Sequence, residues 1–202
     1  MKYKEVGWRA IYKNLCVFPK CAATEKALEN FPGAEDADCI LTYGYIDHEA
    51  GLSLAVLAAG IHKGDKYQFF DGNETIASII RIDAVEDEEF YIIDSEELKE
   101  KHAGKLSSLD HYAVSDEVEK TREMSFLDSS RDLYCIDDVL VFLLKDGLEP
   151  EGCWTRIIAF DGQSFAGTLL NEPDQDFGYH NGENIGFFVQ EMDDGKMVCI
   201  LL

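Results

Sequence analysis

"CWTRIIAFDGQSFAGTLL" (residues 153–170) sets two strand-like segments on either side of Asp161-Gly162. Asp-Gly suits the positive φ angles of tight hairpin turns, so this stretch reads as an antiparallel pair. Reading outward, "LYCIDDVLVFLL" precedes it, and "NIGFFVQEM" and "KMVCILL" follow. Short connections between such segments favour antiparallel neighbours. The final third is therefore expected to be a β-meander forming a strongly curved sheet or partial barrel. Three more Asp-Gly pairs, at Asp71, Asp146 and Asp194, mark further turns.

Helical signals lie upstream. Thr24 is placed to cap "EKALENF", Ser95 to cap "EELKEKHA" with Gly104 ending it, and Ser115 to cap "DEVEKTREM". The apolar run at residues 51–61, "GLSLAVLAAGI", is half the length that spans a bilayer. It reads as a buried core element, and the run from Asp47 to Gly60 as a buried helix or a core strand, its alanines favouring the helix. Segments at 76–82 and 90–93 read as a hairpin around the acidic turn "EDEE". The fold class expected is α+β, with helices mainly in the first two-thirds. The expected division is an α+β part over residues 1–130 and a meander over residues 131–202, or one continuous fold.

Forty Asp and Glu against eighteen Lys and Arg give a formal charge of −22. That charge repels nucleic acid and anionic membranes and favours a basic protein partner. The opening "MKYKEVGWRAIYKN" lacks the charged-then-apolar pattern of a leader, which predicts a cytoplasmic protein. The six cysteines form no C-x-x-C pair, and buried thiols are expected rather than zinc ligands or disulfides.

The densest polar stretch is "NEPDQDFGYHNGE". Counted as a calcium loop from Asp174, it places Tyr179 where a glycine is needed and Ile185 where a carboxylate is needed. A lone His180 falls short of an open iron or zinc site. Gly51-Leu52-Ser53-Leu54-Ala55 resembles a nucleophile elbow without its last glycine, and the short chain lacks the strand-helix rhythm of such hydrolases. The other histidines show no paired metal spacing. No catalytic residue, metal site or cofactor is assigned.

From Leu148 onward, Trp154, Phe165-x-Gly167-x-Leu169, Asn171-Glu172-Pro173 and Gly182-Glu183-x-Ile185 follow one another. In that order they resemble a group of bacterial domains of unknown function, some relatives of which are classed as immunity proteins of polymorphic toxin systems. The resemblance implies a small curved sheet and a protein that binds a cognate toxin. It carries no catalytic residues. Read physically, Gly167 marks a bulge or a close backbone approach, and Trp154 is expected to fill the core.

The expected function is thus a non-enzymatic acidic binding protein with a basic protein or toxin as partner. Its expected contact surface is Glu172, Asp174, Asp176, Phe177, Tyr179, His180 and Glu183, with Phe177 and Tyr179 as apolar anchors. Ten acids against Arg156 and Lys196 from Leu148 to the end supply the charge. One alternative is a small-molecule or metal-dependent enzyme or sensor using residues 174–183. Another is an assembly domain, monomeric or homodimeric, that pairs sheet edges.

Overall fold

A computed structural model of the chain describes residues 1–64, 66–72 and 75–201, so Leu202 of the last expected strand lies outside it. The fold is α+β and divides into two compact units, Met1–Ala113 and Val114–Leu202. Residues 114–130 thus sit with the meander rather than with the first part. Among the described residues, no helix is long and apolar enough to cross a membrane.

The first unit contains α1 (Tyr3–Val6), β1 (Leu15–Pro19), α2 (Ala22–Ala27), β2 (Cys39–Asp47), β3 (Gly51–Lys63), β4 (Lys66–Phe69), β5 (Ile79–Arg81), β6 (Tyr91–Ile93), α3 (Glu96–Lys101) and α4 (Ala103–Ser107). Its antiparallel sheet runs β4-β3-β2-β1-β6, with β5 also on β3. The run expected as a helix is the strand β3. The reason is burial on both faces: Leu52, Leu54 and Val56 on one side and Ala55 and Leu57 on the other are all at most 4% exposed. A strand covered on both sides loses its period of two and reads as a continuous apolar run. Leu15, Val17, Leu41 and Leu57 form one core, against which Leu98 of α3 and Leu106 of α4 pack. Phe18 and Phe90 stack at 5.2 Å elsewhere in this unit.

Other segments depart from their local signals. The segments at 76–82 and 90–93 do not pair with each other: β5 pairs with β3, and β6 pairs with β1. A turn of 3-10 helix at Ile82–Val85 carries the chain away from β5 instead of folding it back. The N-cap of helix α2 is Cys21 rather than Thr24, because the Thr24 hydroxyl reaches back to accept the Cys21 N–H at 2.7 Å. Ser95 does cap α3, but α3 ends at His102 and Gly104 lies inside α4. Ser53 sits in the strand β3 rather than on a helix. Its hydroxyl donates to the Gly51 carbonyl at 3.0 Å and accepts from the Arg81 guanidinium.

The second unit contains α5 (Asp116–Glu123), capped by Ser115, then β7 (Asp138–Leu143), β8 (Glu151–Phe160), β9 (Phe165–Leu169), β10 (Asn184–Glu191) and β11 (Met197–Leu201). These five strands form a closed barrel in the order β10-β11-β7-β8-β9. All neighbours are antiparallel except β11 and β7, which close the barrel in parallel, Cys199 opposite Val141. Gly147, Gly162 and Gly195 turn three of the connections at φ of 85°, 100° and 80°. The fourth Asp-Gly pair behaves otherwise: a Cβ at Gly72 would meet the Leu57 carbonyl oxygen at 2.8 Å, so close approach explains that glycine.

Alternation assigns the barrel interior. Val139, Val141 and Leu143 of β7, Cys153 and Ile157 of β8, Phe165 and Leu169 of β9, and Ile185 and Phe187 of β10 fill it. Trp154 lies between the inward Cys153 and Thr155, so it faces outward and is 37% exposed rather than filling the core. At Gly167 a Cβ would meet Thr155 Cγ2 at 2.5 Å and the Arg156 carbonyl oxygen at 2.8 Å, beside a bulge in β8 between Ile157 and Ala159. The missing side chain and the extra residue together allow the sheet to bend enough to close. Arg122 of α5 gives two hydrogen bonds to the buried Asp137 carboxylate, at 2.9 and 2.7 Å, fixing the helix at the start of β7. Leu127 and Met124, just beyond α5, pack into the interior.

Candidate functional site

The polar stretch is the connection between β9 and β10. Its two ends are tied where the strands meet: the Gly182 N–H donates to the Leu169 carbonyl at 2.8 Å, and the Leu169 N–H donates to the Glu183 carbonyl at 2.9 Å. Between these ties the loop turns inward. Phe177 is only 7% exposed and belongs to the barrel core, and Pro173 is also buried. Tyr179 packs half-buried against the same core. The expected apolar anchor for a partner is therefore an internal plug in the case of Phe177: an aromatic ring beside an open barrel end gains more from filling it than from contact with water.

Backbone N–H groups that such a turning loop leaves unpaired need acceptors, and carboxylates provide them. Glu151, at the start of β8, accepts the Asp174 N–H at 2.6 Å and the Gln175 N–H at 3.2 Å. Gln175 and the Glu149 backbone exchange two bonds, at 2.9 and 3.2 Å, and Lys145 Nζ donates to the Asp176 carbonyl at 2.8 Å. The loop is thus fastened to the β7–β8 turn, the barrel end opposite α5. Asn171 Oδ1 accepts the Trp154 N–H at 2.7 Å, while its Nδ2 donates to the Glu172 carbonyl at 3.5 Å.

At the tip, Glu172 accepts from His180 Nδ1 at 2.7 Å and from the Asn181 N–H at 2.8 Å, and Glu183 accepts the His180 N–H at 3.0 Å. The hydrogen bond from His180, followed by that from Asn181, holds the Glu172 carboxyl below its usual range. The hydrogen bond to Glu172, followed by its charge, raises the His180 imidazole above its usual value. Both side chains are mostly exposed. The pair therefore acts as an electrostatic clasp on the loop tip rather than a buried acid–base couple.

The expected contact residues separate into three kinds. Glu172, His180 and Glu183 are exposed and order the tip; Asp174 and Asp176 are exposed, the Asp174 N–H donating to Glu151 and the Asp176 carbonyl accepting from Lys145; Phe177 is internal, with Tyr179 half-buried against the same core. The fastening residues Lys145, Glu149, Glu151 and Gln175 were not singled out by the sequence, because their partners lie 23 to 31 residues away. Among the described residues, no group of three or more His, Cys, Asp or Glu is arranged to hold a metal ion. The arrangement offers a preformed acidic rim around one histidine. The chain matches no family model, no curated protein and no solved structure.

Proposed function

We propose that this chain is a non-enzymatic acidic binding protein whose second unit presents the 172–183 rim to a basic protein, a toxin in the reading implied by the C-terminal resemblance. The observation that supports it most is the fastening of the loop by Glu151 and Gln175 and its plugging by Phe177, which leave Glu172, Asp174, Asp176 and Glu183 exposed on an ordered backbone. A rim ordered before binding loses little entropy on association, and its charge speeds encounter with a basic partner. Among the described residues of this unit the closed barrel leaves no unpaired edge strand, which favours loop recognition over edge-to-edge assembly.

The test is co-expression with the products of the genes flanking its own. The expected result is a neighbour that arrests growth alone and not in the presence of this chain, with affinity falling at least tenfold between low and high salt. A set of neighbours that are all harmless, or a complex indifferent to salt, overturns the reading.

A further inference from the structure

The first unit holds a second candidate, unrelated to the loop. Strands β4 and β6 are the two ends of the sheet path, yet Tyr67 of β4 and Tyr91 of β6 approach to 6.3 Å between ring centroids. The sheet therefore curls until its edges nearly meet, and the gap is bridged by side chains. A cavity of about 340 Å³ lies at this seam, its walls including Val17, Cys39, Tyr67 and Tyr91, with the exposed Asp38 and Glu89 among its lining residues. His62 stacks on Tyr67 at 4.9 Å and 23°, extending the aromatic wall. Asp38 is held in place by the His62 backbone N–H, which donates to Oδ1 at 2.8 Å.

Two carboxylates and no Lys or Arg stand among the described lining residues. Aromatic faces and carboxylates attract a cation and repel phosphates and carboxylic acids. The cavity is at the small end of ligand pockets, which suits an aliphatic stem with one charged head rather than a nucleotide or cofactor. Burial, followed by a hydrogen bond to Asp38 and its charge, pushes the Cys39 thiol up to about 12, so no thiolate nucleophile is present at neutral pH. Burial raises Tyr67 as well, with smaller contributions from Tyr91, Cys39 and Asp38.

We propose that the seam pocket binds a primary alkylammonium group, with Tyr67 and Tyr91 flanking its methylene stem and Asp38 and Glu89 neutralising its charge. This chemistry is shared by a lysine side chain and a free diamine. The pocket is composed only of residues between Val17 and Tyr91, so the proposal stands or falls separately from the loop.

The test is an NMR titration of the full chain with N-acetyl-lysine methylamide, 1,5-diaminopentane and, as the uncharged comparison, 1-pentanol. Saturable shifts at His62, Tyr67 and Tyr91 are expected with both amines, and pentanol should bind at least tenfold more weakly. Tyr91→Ala and Asp38→Asn should each weaken amine binding about fivefold or more. Tyr91→Phe should retain it, which separates loss of the ring from loss of fold. Tighter binding of the lysine analogue assigns the site to a protein side chain, and tighter binding of the diamine assigns it to a free amine. Absence of saturation with either amine overturns the proposal, as does binding that persists in both weakened variants. Substituting Asp174→Asn in the loop should leave these titrations unchanged.

Discussion

The two units finish a small, strongly curved sheet in opposite ways. In the second, β11 reaches β7 and backbone hydrogen bonds close the barrel. In the first, β4 and β6 are not paired but come near through the rings of Tyr67 and Tyr91. A closed seam leaves its interior filled and sends any recognition to the loops at its ends. An open seam keeps a side-chain-lined cavity in the wall itself, and the one here carries two carboxylates. The same local grammar of antiparallel hairpins thus yields a rim in one unit and a pocket in the other.

The strongest test of the closed unit is Phe177→Ala. Phe177 fills the barrel end away from α5, and truncating a buried phenylalanine costs about 3–5 kcal/mol. Urea unfolding of the second unit should show that loss, together with faster exchange of the Asp174 and Gln175 amides. A cost under about 1 kcal/mol would mean the loop is only a rim, and the barrel end is closed by something else.

Gly167→Ala comes next, because it challenges the bend that lets the barrel close. The new Cβ would stand 2.5 Å from Thr155 Cγ2 and 2.8 Å from the Arg156 carbonyl oxygen, and the latter is backbone that moves little. Overpacking of this kind costs about 1–3 kcal/mol. A lowered melting temperature, with weakened protection of the β8–β9 amides, is the expected result. An unchanged melting temperature would show that the bend does not depend on this close approach.

Tyr91→Ala probes the open unit and should have a smaller effect. Tyr91 is 52% exposed, so the loss is expected at the lower end of an aromatic pair, about 0.5 kcal/mol. Denaturation measured against Tyr91→Phe would read it. A loss above about 3 kcal/mol would make the seam a packed core and dissolve the contrast between the two units.

Much of the barrel was legible in the chain because its hairpins are local. Asp146-Gly147, Asp161-Gly162 and Asp194-Gly195 mark the turns, and the alternation of Val139, Val141 and Leu143 marks the inward face. The parallel contact of β11 with β7 left no local trace, since Cys199 and Val141 are joined only by the curvature of everything between them. The outward face of Trp154 was readable from its parity with Cys153 and Thr155, but bulk and hydrophobicity argued the other way. In β3 the opposite problem arose: burial on both faces erased the period that distinguishes a strand from a helix. For the candidate sites, the exposed acids of the loop were visible as composition, whereas its fastening by Glu151 and the burial of Phe177 required the fold. The seam pocket was not legible at all, because Val17, Asp38, Tyr67 and Tyr91 come together only through the curl of the sheet.

The smallest effect expected is the pH response of the loop tip. His180 titrates above its ordinary value, so its contribution to holding the tip is full below that ordinary value and lost as pH rises through the raised one. Glu172 titrates below its ordinary value, so its contribution is full above that value and lost as pH falls through the lowered one. The clasp should therefore be tightest between the two ordinary values, roughly pH 4.3 to 6.5, and loosen on both sides. Exchange rates of the His180 and Asn181 amides, corrected for intrinsic rates, should show this window. In His180→Ala the alkaline limb should disappear while the acid limb remains, because Asn181 still donates to Glu172. Identical profiles in the two proteins would show that the clasp contributes nothing to order. The tip would then be held by Phe177, the Glu151 bonds and the other ties of the loop backbone, and a partner would meet the same rim at every pH at which the barrel is folded.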